Sequence, residues 1–190
     1  TFSYLNLEGE AHFCLFIRDI SDRKASEAEL LKTQSRLGTL ISNLQTGILV
    51  ESEDRRIVVV NKYFCDIFHS SASPSDLQGK DCSQAAERFK DIFVDPEGFV
   101  AGIDELLARK EIRTGEVLHC RDGRVYERDY IPIYVGKEYL GHMWQYRDVT
   151  EQKTKEQQLV KAQKTAEAAK RAERRFLTDM SHEIRTPMNT

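Results

Sequence analysis

The 190-residue sequence contains no long apolar run, no CxxC cysteine pair and no excess of positive charge. A membrane-spanning helix needs roughly 18 or more consecutive apolar residues, so we expect no membrane segment in this stretch of chain. The formal net charge is −3 at pH 7, which argues against nucleic acid as the main partner. With no signal-peptide pattern either, these absences favour a cytoplasmic location, and a membrane anchor upstream would be compatible with them.

The cysteines are few and widely spaced, at Cys14, Cys65, Cys82 and Cys120. Such spacing favours reduced thiols over a disulfide framework. The His12-x-Cys14 pair and the adjacent residues His119 and Cys120 match no metal-binding signature by themselves. We therefore expect no metal site.

An internal repeat is the most informative pattern along the chain. Residues 16–24, FIRDISDRK, return in similar form as residues 145–153, QYRDVTEQK. Each copy ends a strand-like run and opens a polar helix. The order is therefore strand end, helix, full domain, helix, and residues 1–20 are expected to be the closing strands of an upstream domain of the same type.

The segment 21–44 is predicted to be a linker helix. Leu30, Leu37 and Leu44 are spaced seven apart, which is typical of a short coiled-coil seam and favours a parallel homodimer. The alternative is an amphipathic helix that lies on its own domain, and two heptads do not separate the two.

The segment 45–150 is predicted to form an α+β domain with a five-stranded antiparallel sheet. The predicted strands are 47–50, 57–60, 116–120, 125–134 and 139–148. The predicted helices are 61–69, 83–93 and 96–110, the last capped by Asp95 with Pro96 in its first turn. The aromatic residues expected inside the domain or on the sheet face are Phe68, Phe89, Tyr130 and Trp144.

A second long helix is predicted to begin at Thr150, with Thr150 as its N-cap, so that residues 151–190 form a signalling helix. It leads into residues 176–189, FLTDMSHEIRTPMN. This stretch resembles the phosphoacceptor box of sensor histidine kinases. The segment 45–150 resembles a PAS sensor domain, and Asp148-Val149-Thr150 resembles the usual exit from such a domain. The resemblance implies a PAS fold flanked by coiled-coil-like helices, in the kinase of a two-component phosphorelay.

The resemblance makes His182 the phosphoacceptor, Glu183 its acid/base partner and Thr186 the residue that assists dephosphorylation. The chemistry agrees, because a neutral imidazole nitrogen can attack a phosphoryl group directly. Positive charge then builds on the ring, and a neighbouring carboxylate stabilises that charge. Residues 151–190 would thus include the start of the dimerisation and histidine-phosphotransfer domain.

The sequence shows neither an Asn-rich nucleotide box nor a DxGxG-type glycine box. ATP and magnesium are therefore expected to bind a separate catalytic domain, and this stretch is expected to be inactive alone. The implied partners are a second copy, joined through parallel helices, and the receiver domain of a response regulator. Arg147, Asp148 and Thr150 are the residues expected to couple the sensor to its exit helix.

The signal and the PAS ligand stay open, and no cofactor is evident within these residues. Gly79-Lys80-Asp81-Cys82 resembles the GxNC motif of flavin-binding PAS domains, but the residues after it differ. His69 is the candidate axial ligand for haem, and a small organic ligand or an empty domain are further alternatives. A second function remains open, a ligand-free PAS module for dimerisation and protein interaction. A third, a PAS domain that precedes a cyclic-dinucleotide enzyme, is disfavoured by the box around His182.

Overall fold

The structure, a computed structural model, describes the backbone of residues 2–7, 10–15 and 19–185 and the side chains of residues 19–175. It divides into two units, residues 1–44 and residues 45–190. The first unit contains an antiparallel hairpin of β1 (Phe2–Leu7) and β2 (Glu10–Leu15), followed by α1 (Ser21–Asn43). The assignment of this unit to an upstream PAS-like domain stays a prediction.

Helix α1 has the bounds that the sequence predicts, and all of its apolar side chains are at least partly exposed. Leu30, Leu37 and Leu44, the expected coiled-coil seam, are exposed in the single chain. Their exposure leaves them available to a partner helix, and the dimer itself stays a prediction.

The second unit is built on a five-stranded antiparallel sheet of spatial order β4-β3-β7-β6-β5. Its strands are β3 (Gly47–Ser52), β4 (Ile57–Val60), β5 (Arg113–His119), β6 (Val125–Val135) and β7 (Glu138–Asp148). Four helices lie between β4 and β5, namely α2 (Lys62–Ile67), α3 (Pro74–Leu77), α4 (Ala85–Phe89) and α5 (Pro96–Arg109). Helix α6 (Thr150–Arg185) leaves the end of β7. The predicted α+β class and five-stranded antiparallel sheet are confirmed.

Local side chains explain where the helices begin. The Asn61 side chain accepts the N–H of Phe64 at the start of α2 and the N–H of Ile48 in β3, at 3.0 and 2.9 Å. The carboxylate of Asp95 accepts the N–H of Gly98 at 3.0 Å, with Pro96 in the first turn of α5. Both contacts satisfy backbone donors that a helix start leaves unpaired, and the predicted cap of α5 is confirmed.

Three elements differ from the sequence-based prediction. Helix α3 was not predicted, although Ser73 and Asp76 form a full capping box there. The predicted helix 83–93 is broken into α4 and a 3-10 turn at Lys90–Ile92. Strand β5 begins earlier than predicted, at Arg113, because the bulge at Gly115 (φ +73°) lets the strand continue past an irregular pair.

The core lies between the helices and the inner face of the sheet. Phe68, Tyr130 and Trp144 are buried and Phe89 is half-buried, in agreement with the prediction that they lie inside the domain or on the sheet face. The ring of Phe68 meets Tyr146 on β7 edge-on, with centroids 5.1 Å apart. Aromatic contacts of this kind stabilise the packing of the helices on the sheet.

The backbone at Gly141 tests how tightly β3 and β7 pair. Its φ is +132°, and an added Cβ would overlap the carbonyl oxygen of Glu51. We expect Gly141→Ala to lower the free energy of unfolding by about 3 kcal/mol or more, measured by urea denaturation. Gly123→Ala is the matched control, because Gly123 (φ +90°) has open space around it and carries the backbone penalty alone, about 1–2 kcal/mol. Equal losses in the two variants would contradict the close approach.

Candidate functional site

A cavity of about 720 Å³ lies between the inner face of the sheet and helices α2 to α5. Its walls are largely apolar and aromatic, formed by Leu49, Ile57, Phe64, Phe68, Phe99, Trp144 and Tyr146. Cavities of this volume and lining are typical of small-molecule sites. The cavity is therefore the candidate binding site of the domain.

Glu51 is the buried carboxylate of this cavity, with only 2% of its surface exposed. The indole Nε1 of Trp144 donates to its Oε1 at 3.1 Å, and the Nε of Arg55 donates to its Oε2. The Nε2 of His142 lies 3.4 Å from Oε2. The carboxylate thus connects two strands and a turn.

The fold explains how these partners reach Glu51. Glu51 and His142 are paired in the register of β3 and β7, and Trp144 lies two residues further on the same face. Arg55 occupies the left-handed region (φ 63°) in the turn after β3, where its N–H bonds the carbonyl of Ser52 at 3.0 Å. This tight turn directs the guanidinium back to the carboxylate four residues before it.

The charges of the cavity follow from these contacts. Burial by itself raises the pKa of Glu51, but the hydrogen-bonding His142 ring and the positive charge of Arg55 outweigh it and hold that pKa below its usual value. Burial, together with the nearby Glu51, raises the pKa of the Cys82 thiol well above its usual range. At neutral pH the cavity therefore contains an ionised carboxylate and a protonated, weakly nucleophilic thiol.

A second ion pair, between buried Arg128 and partly exposed Glu116, lies beside the cavity wall. The guanidinium of Arg128 is fully buried, and its Nε and Nη2 lie 2.9 and 2.7 Å from Oε2 of Glu116. It also stacks near the rings of Phe99 and Trp144, at 5.3 and 5.4 Å from their centroids. Trp144 on β7 therefore has Glu51 of β3 on one side and Arg128 of β6 on the other.

The exit joint, Asp148 to Thr150, connects the sheet to α6. The Oγ1 of Thr150 accepts the N–H of Val125 at 2.9 Å and donates to Oδ1 of Asp148 at 2.5 Å. That same carboxylate oxygen accepts the Thr150 N–H at 2.9 Å, and Val149 is buried. Thr150 is thus the first residue of α6 rather than its N-cap, and the Asp148 side chain forms a turn with the N–H of that first residue.

Arg147 contributes to the joint from the other face of the sheet. Its guanidinium lies 3.3 Å from Glu127 and 3.3 Å from Asp129, both on β6. Asp129 also accepts the N–H of Gly115 at 2.8 Å and so holds the bulge of β5. Arg147 therefore ties the last three strands together and makes its ion pairs with β6.

The internal repeat has a structural counterpart at the start of α1. Oδ1 of Asp19 accepts the N–H of Ser21 at 2.8 Å, as Asp148 does for Thr150. The two copies differ at the residue between, since Ile20 is 46% exposed and Val149 is 4% exposed. The repeat thus encodes one and the same helix-starting turn.

Of the three residues expected to couple the sensor to its exit helix, Asp148 and Thr150 bond each other at the exit joint, whereas Arg147 makes its ion pairs with β6. His182 and Glu183 fall within α6, where only the backbone is described, and Thr186 lies outside the described residues. The geometry around the proposed phosphoacceptor therefore stays a prediction.

Cys82, the cysteine of the flavin-like motif, and His69, the candidate haem ligand, both line the cavity. Cys82 is buried in its lining, whereas His69 is exposed where α2 ends. Binding of flavin or of haem at these residues stays untested. In the described part of the chain, no group of three or more His, Cys, Asp or Glu side chains is arranged so that it could hold a metal ion.

Sequence reasoning missed Glu51, His142 and Arg128 as members of the site. Their only local signal is a charged or polar residue on the inner face of an otherwise apolar strand, which a bulge or an edge strand also produces.

Among the described residues, no helix is both long and apolar enough to cross a membrane.

Comparison with known proteins identifies the domain. The PAS domain family model matches residues 45–151, more than half of the sequence. The chain belongs to the PAS domain family. Its fold agrees with this assignment in the five-stranded antiparallel sheet and in the helices between β4 and β5.

The curated relatives are sensor proteins. The virulence sensor protein BvgS of Bordetella pertussis is 31% identical over 181 residues, which cover 90% of this chain and 14% of BvgS. The cell-division control histidine kinase PdhS of Brucella ovis is 29% identical, over 88% of this chain and 16% of PdhS. The autoinducer 2 sensor kinase/phosphatase LuxQ of Vibrio cholerae is 28% identical, over 75% of this chain and 18% of LuxQ.

The chain thus spans less than a fifth of the length of these relatives. Among solved structures, the PAS domain of Bordetella pertussis BvgS is similar, with 22% identity and a TM-score of 0.47. The aligned part covers 70% of this chain and 98% of that domain. The resemblance to PAS-containing sensor kinases is confirmed by the family match and the curated relatives.

Acid titration tests the role of Glu51. Because the pKa of Glu51 is lower in the folded than in the unfolded chain, its ionised form stabilises the fold above pH about 4.3. That stabilisation is lost as the pH falls through the lowered pKa of the folded state. We expect Glu51→Gln to lower the free energy of unfolding by about 2–3 kcal/mol at pH 7, with the difference from wild type shrinking below pH 4.

The measurement is urea denaturation at a series of pH values. Glu53→Gln is the matched control, because Glu53 is exposed in the same turn and its loss should change stability by less than about 0.5 kcal/mol. A Glu51→Gln variant with the same stability and pH profile as wild type would refute the buried ion pair.

Proposed function

We propose that this chain is the sensory and dimerisation part of a sensor histidine kinase, which relays a signal from the PAS domain to autophosphorylation at His182. The observation that carries the proposal is the box at residues 176–189, whose residues up to Arg185 belong to the helix that leaves the PAS sheet. Helix α6 continues from Thr150 to Arg185, a length of about 50 Å. One continuous helix therefore links the exit joint to His182.

The chemistry proposed for the box is phosphoryl transfer in two steps. An imidazole nitrogen of His182 attacks the γ-phosphorus of ATP bound to a separate catalytic domain, with magnesium, and ADP leaves. Glu183 stabilises the positive charge that builds on the ring. The phosphoryl group then passes to an aspartate of a response-regulator receiver domain, and Thr186 helps to orient water when that aspartate is dephosphorylated.

The relay is supported by the position of β7. Trp144 and Tyr146 line the cavity on β7, and the same strand ends at Asp148, whose side chain accepts the N–H of Thr150, the first residue of α6. A change in the cavity that shifts β7 would therefore shift the first turn of the helix. In a parallel homodimer, two packings of the paired helices would provide the two signalling states.

The second candidate, a ligand-free PAS module for dimerisation, is favoured by the apolar residues exposed on both long helices. On α6 these are Leu159 and Val160, and on α1 they include Leu30 and Leu37. Such exposure suits a partner helix under either function. Phosphorylation of His182 separates the two candidates.

The test of the kinase proposal combines the 190-residue chain with the isolated catalytic domain of a histidine kinase and γ-labelled ATP. We expect acid-labile, base-stable label on the wild type and none on His182→Ala, because a phosphate on nitrogen is lost in acid and survives base, whereas hydroxyl esters survive acid and acyl phosphates are lost in base. His119→Ala is the matched control, since His119 is exposed on β5 and should keep the label. Equal labelling of His182→Ala, or none of the wild type, would sink the kinase proposal.

The coupling role of the exit joint is tested in the full-length kinase with Thr150→Val. Valine keeps the shape of threonine but cannot accept the Val125 N–H, so we expect a changed ratio of kinase to phosphatase activity and a loss of about 1 kcal/mol of stability. Asp148→Ala, which removes the acceptor of the Thr150 N–H and hydroxyl, should change the ratio as well.

Two control variants distinguish the effect of losing the hydroxyl at the exit joint from the effect of placing valine in the helix. Thr150→Ser keeps the hydroxyl and should retain the wild-type ratio. Thr154→Val removes a hydroxyl that donates to the Thr150 carbonyl, one turn earlier in the same helix, at 2.8 Å, and should also leave the ratio unchanged. An unaltered ratio in both Thr150→Val and Asp148→Ala would contradict coupling through the joint.

A further inference from the structure

The walls of the cavity select for a flat apolar ligand. Rings of Phe64, Phe68, Phe99, Trp144 and Tyr146 face a space of about 720 Å³. Aromatic walls contact a planar aromatic molecule over both of its faces at little cost in side-chain entropy. A ligand made mainly of hydroxyl groups would lose its hydration against these rings, which offer it no hydrogen-bond partners.

Glu51 offers an acceptor that the protein does not saturate with strong donors. A carboxylate has about four lone-pair sites. Two strong donors occupy it, Trp144 on Oε1 and Arg55 on Oε2, while the His142 contact is long at 3.4 Å. The remaining neighbour is the Cys82 thiol, which is a weak donor. An N–H or O–H group of a ligand would therefore replace a weak donor by a strong one.

The charge balance of the cavity excludes a strongly charged ligand. The ionised Glu51 is already paired with the guanidinium of Arg55. A cationic ligand would have to displace that guanidinium, and an anionic ligand would meet the carboxylate. At the mouth, Lys80 and Arg88 are offset by acidic residues, so entry favours neither sign.

We propose that this cavity binds a small, neutral aromatic molecule that carries an N–H or O–H donor directed at Glu51. The proposal deepens the sensory function proposed above and rests on it. The ligand donor would join Trp144 on the same carboxylate, and β7 would carry the change in Trp144 to the exit joint. The specificity of the sensor is thus set by the Glu51 carboxylate and by the aromatic walls of the cavity.

Trp144 is a built-in reporter for such binding. It is the single tryptophan of the chain, so its indole N–H gives one signal in a ¹⁵N-correlated spectrum. That N–H donates to Glu51, and its ring lines the cavity. A ligand at Glu51 must therefore shift this signal.

The experiment titrates the ¹⁵N-labelled 190-residue chain with four probes of one ring system. Indole is neutral with a donor, 1-methylindole is neutral without one, tryptamine is a cation and indole-3-acetate is an anion. We expect indole to shift the Trp144 signal saturably. The other three should bind at least about tenfold more weakly, because each lacks the donor or adds an unpaired charge.

Two variants locate the site. Ala86→Leu fills the cavity away from Glu51 and should abolish the saturable shift, whereas Ala101→Leu, on the exposed side of α5, should bind indole like the wild type. Glu51→Gln should reduce the preference for indole over 1-methylindole, because the amide oxygen is a weaker acceptor than a carboxylate.

Three outcomes would overturn the ligand class: no saturable shift with any probe, equal affinity for indole and 1-methylindole, or full binding by Ala86→Leu. The titration involves no phosphoryl transfer. Failure here alongside normal labelling of His182 would therefore remove the ligand proposal alone, and the converse result would remove the kinase proposal alone.

Discussion

A carboxylate buried in an apolar sheet needs partners, and Glu51 finds them on separate segments of the chain. Trp144 and His142 belong to β7, and Arg55 belongs to the turn between β3 and β4. Removing one partner of a buried ion pair typically costs several kcal/mol, so these segments must assemble together. The left-handed turn at Arg55, the pairing of β3 with β7 and the polar end of the cavity all depend on this one side chain.

Strand β7 connects the cavity to the exit helix. It crosses the centre of the sheet, contributes Trp144 and Tyr146 to the cavity, and ends at the carboxylate that starts α6. The Thr150 hydroxyl binds the backbone of Val125 as well as Asp148, so the first turn of the helix is attached to two strands. A change in packing at the cavity can therefore reach the helix through one strand. The same helix-starting turn recurs before α1, where Asp19 accepts the N–H of Ser21.

Much of this architecture was predictable, because it depends on local pattern. The strand-like runs of the sequence, and Asp95 with Pro96, placed the strands and α5 close to their observed bounds. Helix α3 was missed although its capping box is local, since four residues are too few for a periodic pattern. Glu51, His142 and Arg128 were missed for a different reason. Their roles depend on partners distant in sequence, such as Trp144, 93 residues after Glu51.

The sequence by itself determined the class of the protein, the order of its elements and the box that contains His182, since each is written in neighbouring residues. The exposed apolar residues of both long helices also follow from spacing alone. The packing of the folded chain alone brings the polar side chains together inside the sheet and joins the Thr150 hydroxyl to the backbone of Val125. Burial and strand register create these contacts, and both arise only when distant segments pack against one another.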